Sequence, residues 1–193
     1  MSSMILFGGS FDPIHMGHLI IAEYVKDYME VDKVVFLPNG VPPHKKEITS
    51  SNHRLKMVEL AISDNPSFDV STYELQQQGT NYTYKTIKYF SSKVDNLYFF
   101  AGADSLVDFP KWKNPKEILS YCKMVIAKRE GYEGENTLKK FGTDNFIILK
   151  TPIIELSSTQ IRKRLAQNKS CKYLIHPKVE DYILDKGIYN GYN

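Results

Sequence analysis

Short apolar runs alternate with longer amphipathic stretches along the whole chain. Six of the runs are rich in β-formers and predict strands: 4–7 (MILF), 33–37 (KVVFL), 68–71 (FDVS), 97–101 (LYFFA), 123–127 (KMVIA) and 146–149 (FIIL). Several are apolar throughout instead of alternating, the pattern of strands covered on both faces. Between them, apolar residues return every three or four positions, which is a helical period. His18, Ala22, Val25 and Met29 share one face of a helix predicted over 17–30, and Leu55, Val58 and Ile62 do the same over 53–63. Further helices are predicted over 82–93, 115–121, 157–167 and 177–186. The polar stretches 38–52 (PNGVPPHKKEITSSN) and 129–136 (REGYEGEN) read as loops. Strands and helices in this alternation imply an α/β fold around a parallel sheet, with a ligand crevice where loops leave the strands' C-terminal ends.

Composition sharpens that picture without changing it. A chain of 193 residues with 42% apolar and 24% charged residues can bury one substantial core, so a single domain over 1–193 is expected, with a helical C-terminal portion from about 157. Its 25 basic and 22 acidic residues leave a net charge of only +3. That balance disfavours nucleic acid as a partner, and any polyanion bound should be small. Cys122 and Cys171 stand far apart with no C-x-x-C spacing, so both read as small core residues in a reducing compartment. No apolar run approaches membrane-spanning length and the N-terminus lacks a signal-peptide pattern. A cytoplasmic protein with no membrane partner is expected, and a homo-oligomer is compatible with these features.

The candidate chemistry begins directly behind the first strand, in GGSFDPIHMGH (8–18). A loop that opens a helix offers unpaired N–H groups and the positive end of the helix dipole, and glycines let an anion approach the backbone closely, so this is a natural phosphate site. Neither the G-x-G-x-x-G spacing nor a P-loop is present. Instead His15 and His18 stand three apart, able to donate hydrogen bonds to phosphate oxygens and tunable near neutral pH. Turn-making glycines, core histidines or a zinc pair would explain single residues, but no cysteine or H-E-x-x-H context supports a metal. Asp12 reads as structural, capping the turn through nearby backbone. A second candidate lies at 156–162 (LSSTQIR). Ser157 and Gln160 form a capping-box pattern. Arg162, one turn into that helix, opposes the dipole unless an anion sits there.

GGSFDPIHMGH resembles the signature of the nucleotidyltransferase superfamily defined by an H-x-G-H element, and LSSTQIR resembles its S-S/T-x-x-R element. The resemblance implies a Rossmann-like doubly wound parallel sheet. It implies that His15, His18 and Arg162 are catalytic, holding the phosphates of ATP and stabilising charge in the transition state, with Ser158 and Thr159 as further phosphate ligands. It also assigns Gly8, Gly9, Ser10 and Gly102 to the ATP site. LPNGVPPHKK (37–46), NYTYKT (81–86) and AGADSLVDFPKW (101–112) are similar to segments of the bacterial nicotinate-nucleotide adenylyltransferases. That similarity implies transfer of the adenylyl group of ATP to nicotinate mononucleotide, with pyrophosphate released. Mg²⁺ would arrive on ATP, and no dedicated metal site is expected.

The similarity further implies that Trp112 stacks on the pyridine ring and that Thr86 with neighbouring backbone N–H groups reads the nicotinate carboxylate. Asn39, Lys45 and Arg54 are implied as substrate or phosphate contacts, and Asp104 as a partner of the adenosine ribose. On residues alone, Trp112 could instead fold back on the core, Asp104 could equally cap a helix, and the basic cluster His44, Lys45 and Lys46 could simply be solvated. Two alternatives stay open at this level. The acceptor could be nicotinamide mononucleotide or another phosphorylated molecule, or the chain could bind ATP as a regulatory module without turnover.

Overall fold

The computed structural model describes residues 1–40, 49–77, 79–128 and 134–190. All six apolar runs form strands: β1 (Ser3–Gly9), β2 (Lys33–Pro38), β3 (Phe68–Val70), β4 (Asn96–Gly102), β5 (Lys123–Lys128) and β6 (Phe146–Lys150). They pair in one sheet of order β3-β2-β1-β4-β5-β6, parallel throughout. Helices α1 (Met16–Met29), α2 (Ser51–Ile62), α3 (Thr83–Ser91), α4 (Ala103–Asp108), α5 (Pro115–Tyr121), α6 (Glu135–Phe141), α7 (Ser158–Ala166) and α8 (Pro177–Lys186) surround it.

Successive strand residues point to opposite faces, and each face has its own core. Ile5, Phe7, Val34 and Phe36 pack with side chains of α1, α2, α7 and α8. Leu6, Val35, Leu37 and Phe99 pack with those of α3, α4 and α5. This is the Rossmann-like doubly wound arrangement that the βα alternation implies. Cys122 and Cys171 are buried free thiols, one in each core.

Local differences from expectation have identifiable causes. Strand β1 runs on to Gly9, because Gly8 and Gly9 continue the ladder opposite Leu37 and Pro38. The segment after β4, for which the periodicity predicts no element, winds into α4 and a single 3-10 turn at Phe109–Lys111. Leu106 and Phe109 are buried there, a burial too short-ranged to show as a period. Glu135 and Asn136, expected in a loop, open α6, and the rest of that loop at 129–133 lies outside the described residues.

Candidate active site

The sheet order reverses direction between β1 and β4, so the helices leaving these strands diverge and a crevice opens at their C-terminal ends. Phe7 stands opposite Phe100 at that point, with the rings stacked 4.6 Å apart. A cavity of about 880 Å³ lies beside them. Ser10, His15 and His18 from the β1–α1 segment, Gly102 from β4, and Ser158, Thr159 and Arg162 from α7 all line it. The two sequence signatures, near opposite ends of the chain, meet around one space.

Backbone geometry explains how the histidines are presented. His15 is the N-cap of α1, with extended φ and ψ of −140° and 168°, and is 6% exposed. Its backbone N–H donates to His18 Nδ1 at 3.2 Å, and the two rings stack 3.7 Å apart. Because His18 Nδ1 accepts, its proton resides on Nε2, the nitrogen then able to donate to a phosphate. Burial pushes the His15 imidazole down from its ordinary 6.5 to about 4, and burial together with His15 holds His18 well below the ordinary value. Both rings are therefore neutral donors in the free protein at pH 7. The nearby charge of a polyphosphate favours their protonation.

Two glycines of the opening segment have a packing reason within the loop itself. A Cβ on Gly9 would lie 2.9 Å from the Phe11 ring, and one on Gly17 would lie 3.0 Å from His15 Nδ1. These two glycines make room for side chains of their own loop. Gly8 and Gly9 sit in β1, outside the cavity lining, whereas Gly102 lines the cavity and a Cβ there would meet nothing within 4 Å.

The α7 signature folds as its capping pattern dictates. Gln160 N–H donates to Ser157 Oγ at 3.2 Å and Ser157 N–H donates to Gln160 Oε1 at 2.8 Å. Ser158 Oγ donates to Pro13 O at 2.9 Å, tying α7 to the opening loop. Arg162 Nη1 donates to Asp12 O at 2.6 Å and Nη2 to Thr159 Oγ1 at 3.2 Å. The guanidinium is thus fixed beside the N-terminus of its own helix, adding its charge to the positive end of the dipole.

Asp12 also lines the cavity, and its carboxylate partners are distant residues in place of the local turn backbone expected. Its Oδ1 accepts from Tyr189 Oη at 2.6 Å and its Oδ2 from Thr49 N–H at 3.3 Å. Arg54 requires a correction. It is wholly buried and does not line the cavity. Nε donates to Thr49 O at 3.0 Å and Nη1 to Ser10 O at 2.8 Å, so it braces the opening loop from behind. Burial lowers its affinity for its proton, an effect opposed by the Asp12 charge.

The other predicted residues lie outside that cavity's lining. Asn39, just past β2, donates its N–H to Gly9 O at 2.9 Å, and its buried Oδ1 has no hydrogen-bond partner among the described residues. Thr86 is buried in α3 with Oγ1 donating to Glu74 Oε1 at 2.8 Å, so its hydroxyl is already engaged. Burial raises the Glu74 carboxyl above its usual range. Trp112 is half-buried, edge-on to Phe99 at 6.1 Å and tilted against Phe109 at 5.4 Å, so part of the ring serves the core and part stays open. Asp104 is exposed in the first turn of α4, where Gly102 takes the N-cap position. Lys45, with His44 and Lys46, lies outside the described residues.

Sequence reasoning missed three contributors. The 151–156 segment lines the cavity with Pro152, Ile153, Ile154 and Leu156, and Ile153 is 71% exposed despite being aliphatic. Tyr189 and Glu74 complete hydrogen bonds that no spacing announced. Among the described residues, no group of three or more His, Cys, Asp or Glu side chains is arranged to hold a metal ion, and no helix is long and apolar enough to cross a membrane.

Comparison with known proteins agrees with this geometry. The cytidylyltransferase-like family model matches residues 6–164. A protein of Caldicellulosiruptor saccharolyticus named nicotinate-nucleotide adenylyltransferase is 42% identical over 194 residues, covering 95% of this chain and 97% of the relative. One of the same name from Clostridium novyi is 41% identical, with the same coverage of 95% and 97%. The fold also matches the nicotinic acid mononucleotide adenylyltransferase of Plasmodium falciparum in its complex with NaAD. That likeness has a TM-score of 0.80 at 22% identity and covers 98% of both chains.

Proposed function

The chain belongs to the cytidylyltransferase-like family, and from that membership we propose that it works as a nicotinate-nucleotide adenylyltransferase, moving the adenylyl group of ATP to nicotinate mononucleotide in NAD biosynthesis. One observation carries the catalytic part of this proposal. The stacked His15–His18 pair and the Arg162-bearing N-terminus of α7 face one cavity at the sheet's switch point. Two donor groups on separate elements around one cavity suit a triphosphate, whose charges are spread along its length.

In the reaction, an oxygen of the mononucleotide 5′-phosphate forms a bond to the α-phosphorus of ATP, and the bond from that phosphorus to the bridging oxygen of pyrophosphate breaks. A 5′-phosphate has a second pKa of about 6, so at pH 7 it is largely a dianion and attacks without a general base. The barrier lies in bringing two polyanions together and releasing a third. Catalysis is therefore positioning plus electrostatic stabilisation. His18 Nε2–H and His15 donate toward the α- and β-phosphates, while Arg162 and the Ser158 and Thr159 end of α7 hold the β- and γ-phosphates. Mg²⁺ would enter as part of the nucleotide substrate, neutralising phosphate charge there.

The apolar residues of the 151–156 segment suit the adenine ring. The acceptor occupies the side of the β1 end bounded by Asn39, Thr86 and Trp112, the open part of the Trp112 ring stacking on the pyridine. With the Thr86 hydroxyl committed to Glu74, backbone N–H groups at the start of α3 carry the reading of the carboxylate.

Pyrophosphate release by purified protein with Mg-ATP and either nicotinate or nicotinamide mononucleotide, at matched concentrations, tests the assignment. Preference for the acid is the expected result. Equal rates would overturn the carboxylate-reading role, and release with neither would overturn the proposed acceptor.

A further inference from the structure

Tyr189 takes no part in the transfer chemistry, yet it is tied into the site. It lies three residues beyond α8, is 8% exposed and packs in the core formed with α2. Its hydroxyl donates to Asp12 Oδ1 at 2.6 Å across 177 positions of sequence. Burial first, then the Asp12 charge, hold the phenol protonated, so it remains a donor at all physiological pH values. Asp12 is 5% exposed, and its other oxygen lies 3.9 Å from Arg162 Nη1 while its carbonyl accepts from that same nitrogen at 2.6 Å.

We propose that Tyr189 is a positioning residue for Arg162, acting through Asp12: its hydroxyl holds the Asp12 carboxylate so that the Arg162 guanidinium stays aimed into the cavity. A carboxylate in this pocket must be satisfied by hydrogen bonds. Tyr189 and Thr49 satisfy one oxygen each, which leaves the ion pair to Arg162 long and weak. Remove the phenol hydroxyl, and Oδ1 is buried without that donor. Arg162 Nη1 already stands 3.9 Å from Oδ2, and closing that pair draws the guanidinium down onto the opening loop, away from the β- and γ-phosphates. The role assigned to Arg162 rests on the adenylyl-transfer proposal.

Tyr189→Phe keeps the ring and its packing while deleting the hydroxyl. Met57→Leu is the packing control, because Met57 Sδ is 4.0 Å from Tyr189 Oη and takes no part in the Asp12 contacts. For both variants, ATP affinity is measured by calorimetric titration, and KM for ATP, KM for nicotinate mononucleotide and kcat are measured by pyrophosphate release. Tyr189→Phe is expected to weaken ATP binding, and kcat/KM for ATP with it, roughly five- to tenfold, with KM for the mononucleotide within about twofold of wild type. Met57→Leu is expected to leave all of them unchanged. Unchanged ATP affinity in Tyr189→Phe, or an equal loss for both substrates matched by Met57→Leu, would overturn the proposal. Weakened ATP binding in Tyr189→Phe alongside a wild type that transfers nothing would uphold the positioning of Arg162 and overturn the transfer reaction instead.

Discussion

At the residue scale, the site depends on keeping two imidazoles neutral and stacked, His15 buried and His18 partly so. The bond from His15 N–H to His18 Nδ1 fixes the tautomer that presents Nε2–H, and a Cβ at Gly17 would lie 3.0 Å from His15 Nδ1, close enough to press on that ring. In the proposed reaction His18→Ala deletes a donor that acts most strongly when negative charge accumulates on the leaving pyrophosphate. We expect kcat to fall by about 10² to 10³, with mononucleotide KM and melting temperature little changed. Steady-state kinetics of the folded variant check this, and an intact kcat would remove His18 from the phosphate role. The two histidines are legible in the sequence because phosphate chemistry leaves a local pattern. The packing role of the glycines is not, since it depends on where the Phe11 and His15 rings turn. Arg54 is misread for the same reason: a basic residue beside a basic loop looks like a ligand contact, and only three-dimensional packing reveals that it bonds Ser10 and Thr49 from inside.

At the element scale, three segments must be held together for the site to exist. The opening loop is braced by Arg54 from α2, bonded to α7 through Ser158 and Arg162, and anchored past α8 through Tyr189. Arg54→Met is a near-isosteric change that leaves the Thr49 and Ser10 carbonyls without their buried donor. It is expected to destabilise the fold by about 2–4 kcal/mol and to lower kcat as the loop loosens. Urea unfolding compared with turnover under native conditions measures both effects. A variant as stable as wild type would show that the bracing contributes nothing. Strands and long helices are readable from periodicity because a doubly covered parallel sheet demands continuous apolar runs. The short α4 and the start of α6 are not, since six or seven residues hold too few turns to establish a period against the flanking polar sequence.

At the scale of the whole molecule, the free protein's stability should carry the imprint of its buried histidines. In the unfolded chain His15 takes up a proton near 6.5, whereas in the fold it does so only near 4. Across that window the unfolded state binds more protons, so stability is fully present above about pH 6.5 and declines on acidification toward 4. His18 adds to the same trend. Urea midpoints at pH 7 and pH 5 should therefore differ more for wild type than for His15→Gln, and parallel shifts would refute the assignment. The strand order, 3-2-1-4-5-6, cannot be read from local pattern. It is set by how all six strands pair at once, and together with the bonds from α7 to the opening loop it brings segments near the two ends of the chain to one cavity.

The most direct test is product stoichiometry. Purified protein is incubated with Mg-ATP and nicotinate mononucleotide, and every phosphorylated product is quantified. Adenylyl transfer at the cavity between α1 and α7 predicts one pyrophosphate for each nicotinate adenine dinucleotide formed, with both lost together in Arg162→Ala. Release of ADP or inorganic phosphate in place of pyrophosphate, or dinucleotide formation undiminished in Arg162→Ala, would contradict it.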